Sequence, residues 1–286
     1  PEIKDFRVLD AKKELQIMGF DIIEVNQSDD LIHASVEFIS QKNFTNNWTN
    51  EQLYEFVKDP LNMGMIMVAT DLADCLVAGA MTSSTNVIRT AIRVIGIKST
   101  SKWVSSIFFM LSPDHSIYYT YSDCAVIPEP SIEQLVSIAK DAADFHKLLS
   151  GDDARLAFLS FSTKGSAEHY RVKRIRDASS LFSKKYGHII HDGEIQFDVA
   201  VDKDIAFKKA ENSPIKGNAN VLIFPNLDAG NIAYKATQRL AGYYAWGPLL
   251  QGLNKPIHDL SRGCSVDDII LVCAIAALQK DQYANL

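Results

Sequence analysis

No apolar run in this chain reaches the roughly 18 positions that a membrane-crossing helix needs. The longest, VSSIFFML and LVCAIAAL, stop well short. The first residues, PEIKDFRVLD, are charged from the outset and hold none of the apolar stretch that a secretory signal requires. Cysteine is scarce. Cys75, Cys124, Cys264 and Cys273 lie far apart or inside apolar runs, with no CxxC spacing, so disulfides are not expected and a reducing, cytoplasmic setting is. Basic charge is not in excess either: 29 Lys and Arg against 35 Asp and Glu leave a net charge of −6. That balance offers no general attraction to nucleic acid or to an anionic membrane, so an anionic ligand has to be gripped by a local cluster. HExxH, HxH and GxSxG are absent as well, which removes the usual zinc-helix and serine-hydrolase readings. No metal site is expected.

What is present is ordinary globular sequence, 286 residues with 47% hydrophobic and 22% charged, enough for two lobes with real cores. Short apolar runs end in small residues and lead into helical patterns, the alternation of a βαβ architecture with a largely parallel sheet. CLVAGA (75–80) leads into NVIRTAIRVIG, RLAFLSFS (155–162) into a basic amphipathic helix, and ANVLIFP (219–225) into a helix stopped at Gly242. Ser131 with Gln134 three residues on predicts a capping box.

Three polar clusters could carry chemistry. In HDLSRGCSVDDI (258–269), Ser265 and Asp268 form a capping box for the apolar helix that follows, with Asp267 and Asp268 in its first turn and Arg262 as their counter-charge. The same residues also fit an anion site, with Arg262 as a planar fork for phosphate oxygens and a neighbouring carboxylate as base. The second cluster, GAMTSSTNVIRTAIR, sets Ser84, Thr85 and Arg89 at a helix start but is neither GxGxxG nor GxxxxGK[ST]. The third, SFSTKGSA, places Ser162, Thr163, Lys164, Gly165 and Ser166 in a hydroxyl-rich turn that could meet a small acyl or phosphoryl group. His188 and His191 read as structural or surface residues.

DCLVAGAMTSSTNVIRTAI, AFLSFSTKGSA, HDGEIQFDVAV, GNANVLIFPNLDAGNIAYKATQRL and GPLLQGLNKPIHDLSRGCSVDDI, in this order and at these separations, resemble the phosphate acetyl/butyryltransferase family, the phosphotransacetylases among them. The resemblance implies two three-layer α/β lobes with a cleft between them, related to the isocitrate and isopropylmalate dehydrogenases. The implied division is 1–101 with 256–286, and 102–255. It further implies a homodimer that binds no metal or nicotinamide and takes acetyl-CoA, acetyl phosphate and inorganic phosphate as substrates, moving an acetyl group between coenzyme A and phosphate. On matching positions Asp268, Ser261 and Arg262 are the catalytic group and Arg89 a second arginine at the cleft. Ser84, Thr85 and residues 162–166 complete the expected substrate contacts.

The chain also departs from the family pattern. A strand–helix–strand usually precedes the part matching PEIKDFRVLDAKKELQIMGF. Ile39 stands where an arginine associated with coenzyme A is usual, Thr90 replaces a proline and His258 an asparagine. A butyryl-specific enzyme is the nearest variant of this reading, and a non-catalytic acetyl-CoA-sensing module is the competing class.

Overall fold

Helix starts are set locally. In the computed structural model, which describes residues 1–25 and 28–283 with side chains to residue 280, Ser28, Thr49, Asp59, Ser83, Ser131 and Asn226 each accept a bond from an amide in the next turn. These bonds satisfy donors that a helix leaves open. At Ser131 the expected capping box is complete, Gln134 returning a bond to the Ser131 amide. The helix from Leu227 ends at Gly242, whose φ of 72° is the left-handed cap.

The chain runs α1 (Phe6–Ile17), α2 (Asp29–Ser40), α3 (Asn50–Lys58), α4 (Pro60–Ala69), β1 (Leu76–Ala78), α5 (Ser84–Val94), β2 (Ser105–Leu111), β3 (Tyr118–Ser122), α6 (Ile132–Ser150) and β4 (Arg155–Leu159). It continues with α7 (Tyr170–Tyr186), β5 (Ile190–Ile195), α8 (Phe197–Val201), α9 (Lys203–Lys209), β6 (Val221–Ile223), α10 (Leu227–Ala241), β7 (Tyr244–Gln251), β8 (Ile257–Asp259) and α11 (Val266–Tyr283). No helix among the described residues is long and apolar enough to cross a membrane. Two compact units result, Pro1–Ser99 with Leu253–Leu286, and Thr100–Gly252.

In the first unit β1 and β8 pair in parallel, Leu76, Val77 and Ala78 opposite Ile257, His258 and Asp259. The Leu260 amide donates to the Ala78 carbonyl at 2.8 Å and carries the pairing one step further. Gly79, at φ 121°, follows at once, and a Cβ there would lie 2.5 Å from Asp259 Oδ1 and 2.6 Å from the Leu260 nitrogen. Only glycine lets the two strand ends come this close. Helix α4 is apolar all round and buried from Met63 to Val68, the pattern of a central core helix. Helix α11 behaves differently from its all-apolar sequence: Ile269, Val272, Ile275 and Ala276 are buried, whereas Ile270, Leu271 and Ala274 are half-buried.

The second unit holds a six-stranded sheet of order β5-β4-β6-β3-β2-β7. Pairings among β5, β4, β6 and β3 are parallel, but β2 runs antiparallel to both β3 and β7. The sheet is therefore mixed. Alternate residues separate its faces: Phe108, Met110, Ala157 and Leu159 join Tyr121, Leu222 and Phe224 in one cluster against α8, α9 and α10. Phe158 meets Phe182 of α7, and Phe109 lies near His146 of α6, on the other face. A fully buried Phe or Leu is worth about 1.5–3 kcal/mol, so this sheet, covered on both faces, is the main apolar core of the unit.

His146 is completely buried, with Nδ1 2.9 Å from Thr120 Oγ1. Burial, reinforced by the charge of Arg155 and opposed by Asp152, pulls its pKa down to about 4. An exposed imidazole titrates near 6.5, so as pH falls from about 6.5 towards 4 the unfolded chain takes up a proton that the folded chain refuses. Stability is lost in that window, by up to about 1.4 kcal/mol per pH unit for one proton. His146→Gln is expected to be less stable at pH 7 but to show a flatter pH dependence between 6.5 and 4, as read from urea midpoints. Gly79→Ala is expected to lose at least about 1–3 kcal/mol to backbone strain, measured in the same way.

Candidate functional site

Two strand–turn–helix segments define the candidate site of the first unit. Because β1 and β8 are adjacent and parallel, the turn before α5 and the turn before α11 leave the sheet side by side at its carboxyl end, the edge where open α/β sheets bind ligands. The first segment carries Ser84, Thr85 and Arg89, all exposed. The second carries Ser261 and Arg262, exposed, and Asp268, half-buried. The topology thus brings these six sequence candidates to one end of one small sheet.

The mouth of α11 is wetter than the apolar helix behind it suggests. Asp268 Oδ2 accepts from the Ser265 amide at 2.8 Å and the Ser265 hydroxyl at 2.9 Å, and the Asp268 amide donates to Ser265 Oγ at 3.1 Å. The Ser265–Asp268 capping box is therefore complete, and it engages one carboxylate oxygen. Arg262 is not the counter-charge: its guanidinium meets no described side chain and faces solvent, while Ser261 Oγ accepts from the Gly263 amide at 3.3 Å. A planar cation and a hydroxyl with its proton free stand at the start of a helix, an arrangement suited to a phosphate-bearing ligand.

At the α5 turn, the amides of Gly79, Ala80, Met81 and Thr82 all converge on Glu2 at 2.9, 2.9, 3.0 and 2.7 Å. This backbone cradle is filled by a carboxylate of the chain itself. Asp259, fully buried beside it, has its carboxyl pushed up to about 6 by burial, against smaller opposing effects of the Ser84 hydroxyl and the Leu260 amide. Glu2 and Arg7 have no motif around them in the sequence. Their partners in the two turns lie 73 to 257 residues away, a distance that one sequence does not reveal.

The second unit holds the turn 162–166. Ser162 is buried and donates to Glu194 Oε1 at 2.9 Å, the Gly165 amide donates to the same oxygen at 2.8 Å, and Lys164 pairs with Asp192. Thr163 Oγ1 accepts from the Gln196 amide at 3.0 Å, and Ser166 Oγ from the Thr163 amide at 3.0 Å. Burial alone would raise Glu194, but Arg176, 3.0 Å away, with the Gly165 amide and the Ser162 hydroxyl, holds it near 2. The turn is built around this carboxylate, a residue that lay inside the quoted HDGEIQFDVAV without a role assigned to it.

The three family departures within the first unit occupy its interior. Ile39 is fully buried, so the position is a core site and not a ligand-contacting surface. Thr90 is buried and donates to Asn62 Oδ1 at 3.2 Å. His258 is buried beside Gln279, and burial draws its imidazole down to about 3. Among the described residues, no group of three His, Cys, Asp or Glu side chains could hold a metal ion.

Comparison with known proteins agrees with this architecture. The family model for phosphate acetyl/butaryl transferase matches residues 3–277. A phosphate acetyltransferase of Acetivibrio thermocellus is 38% identical over all of this chain and 94% of that protein. One from Thermoanaerobacterium thermosaccharolyticum is 40% identical over 95% of this chain and 84% of its own length. The crystal structure of a phosphotransacetylase from Streptococcus pyogenes superposes with a TM-score of 0.88 at 34% identity, covering 97% of this chain and 92% of the other. With the fold, the paired strand–turn–helix segments and the family match in agreement, the chain belongs to the phosphate acetyl/butyryl transferase family.

Proposed function

We propose that this protein is a phosphate acetyltransferase, moving an acetyl group reversibly between coenzyme A and inorganic phosphate. The observation that carries the reading beyond family membership is the exposed, unpaired Arg262 beside Ser261 and just before the helix that carries Asp268, at the carboxyl end of the β1–β8 pair.

In the direction of acetyl-CoA synthesis, Asp268 accepts the thiol proton of coenzyme A on the oxygen that the cap leaves open. The thiolate attacks the carbonyl carbon of acetyl phosphate, forming the C–S bond. The Ser261 hydroxyl donates to the carbonyl oxygen as it becomes anionic, and the bond from the carbonyl carbon to the bridging oxygen then breaks, that oxygen leaving as part of inorganic phosphate. Arg262, with Arg89 from the neighbouring segment, offsets the charge of the departing phosphate. Ser84 and Thr85, exposed in the first turn of α5, are assigned to contact with phosphate oxygens. In the second unit Ser162, Thr163, Gly165 and Ser166 shape the turn, and Lys164, its side chain 44% exposed, is the member assigned to reach an anion.

The reading extends to a cytoplasmic homodimer that serves acetate metabolism, with acetyl-CoA, acetyl phosphate and phosphate as substrates and no resident cofactor. Four free cysteines fit a reducing compartment. Ile232, Leu240 and Tyr244 of α10 and β7 are 67%, 88% and 49% exposed, apolar side chains that a second copy would cover.

The test is thiol release from acetyl-CoA with and without phosphate. Wild type is expected to release thiol only when phosphate is present. Arg262→Ala is expected to fall by about 10²–10³-fold and Asp268→Asn by about 10²–10⁴-fold, both with unchanged melting curves. A folded wild-type protein that is silent in both directions would refute the assignment. Binding of acetyl-CoA without turnover would indicate a sensing module instead.

A further inference from the structure

We propose that Arg7, held by Asp5 and assisted by Glu2, is a positioning residue for the reaction: it fixes the turn carrying Ser261 and Arg262 against the turn that leads to Arg89. This rests on the functional reading above and assigns part of its machinery to the start of the chain.

A guanidinium has five N–H donors in a rigid plane, and in Arg7 every one has an acceptor. Nε meets Asp5 Oδ1 at 3.0 Å and Nη2 meets Asp5 Oδ2 at 2.7 Å, a two-point pairing that fixes the plane. The remaining donors reach backbone carbonyls: Nη1 those of Arg262 at 2.8 Å and Cys264 at 2.7 Å, and Nη2 that of Ala80 at 3.1 Å. Those three carbonyls belong to two different turns. One follows β8 and the other follows β1, and the bond from the Leu260 amide to the Ala78 carbonyl extends the strand pairing towards them.

Glu2 completes the clamp from the other polarity. Its two oxygens accept from the four amides of residues 79–82, about as many bonds as a carboxylate can take. The α5 turn is therefore held through its N–H groups by Glu2 and through a C=O by Arg7.

The bond to Arg262 O also bears on the Ser261 hydroxyl. A trans peptide places its C=O and N–H on opposite sides. With the carbonyl of residue 262 turned to Arg7, the Gly263 amide points away and donates to Ser261 Oγ at 3.3 Å. That contact occupies an acceptor position of the hydroxyl and leaves its proton to donate, the role given to Ser261 above. Lysine, with three donors on a flexible stem, cannot reproduce a five-point planar grip.

The test compares wild type with Arg7→Lys, Arg7→Ala and Thr45→Ala. Thr45 Oγ1 donates to Ile39 O and Lys42 O, and Thr45 has no contact with either turn, so its variant is a control for simple loss of stability. A displacement of about 1 Å costs on the order of 10²-fold in rate. Both Arg7 variants are expected to lose about 10–100-fold in kcat, with KM for coenzyme A within about twofold of wild type, and guanidinium ion is expected to restore part of the Arg7→Ala activity. Amide exchange at residues 79–82 and 261–264 is expected to accelerate in both. Folded Arg7 variants with wild-type kcat and unchanged exchange would overturn the proposal, as would an equal kcat loss in Thr45→Ala at matched stability. Absence of thiol release by wild type would defeat the functional reading alone, and exchange at the two turns would still decide the clamp.

Discussion

The first unit depends on a very short parallel pairing, three residues of β1 against three of β8. Few backbone bonds are involved, yet their placement decides everything at that end of the sheet. Parallel neighbours send their following turns out on the same edge, so residues 79–85 and 260–268 become neighbours although about 180 positions separate them in the chain. Gly79 lets the two backbones close up at the point where they leave the sheet. Carboxylates and a guanidinium from the first seven residues then take up the polar groups that the strands leave unpaired. The pairing supplies direction, and the charged side chains supply register.

A recurring device in both units is a carboxylate used as the centre of a turn. Glu2 gathers four amides, Glu194 gathers a hydroxyl, an amide and an arginine, and the buried Asp123 gathers the Ser106 hydroxyl with the amides of Ser106, Ala125, Val126 and Ile127. A neutral side chain could not accept so many bonds without leaving donors unsatisfied. Burial works against each charge, and the outcome differs with the partners. Glu194, which has an arginine beside it, is held near 2, whereas for Asp123, among neutral donors alone, burial prevails and its pKa is raised. The same desolvation that raises Asp123 takes Asp259 to about 6.

Much of this was legible from residue pattern, and the reason lies in how local each signal is. The capping box at Ser131, the glycine stop at Gly242 and the strand–turn–helix order around residues 76–94 are encoded within a few positions, and the structure has them. Ser265 and Asp268 likewise declared a cap. The expected largely parallel sheet is present, and what the residue pattern left out is the reversed β2, antiparallel to its neighbours β3 and β7, because direction is a property of long-range pairing. For the same reason no local pattern signals that Arg262 stands free of Asp267 and Asp268, or that Ile39 is a core residue. Arg7 sits in a charged opening stretch without a motif. Its acceptors are carbonyl groups, which every residue possesses and which therefore leave no trace in composition.

The separation of β1 from β8 also bears on how the molecule is made. Synthesis delivers residues in order, at roughly 5–20 per second, and all of Thr100–Gly252 emerges between the two halves of the first unit. The early half waits, with β1 lacking its parallel neighbour and α1 the helix it packs against, until β8 and α11 arrive. Closing so long a chain segment costs entropy only as the logarithm of its length, and a folded intervening unit shortens the effective loop further. The late-born strand that bears Asp259 thus both completes the nascent core and sets the reactive turn in place, so the turn cannot be in place on a ribosome-bound chain that still lacks it.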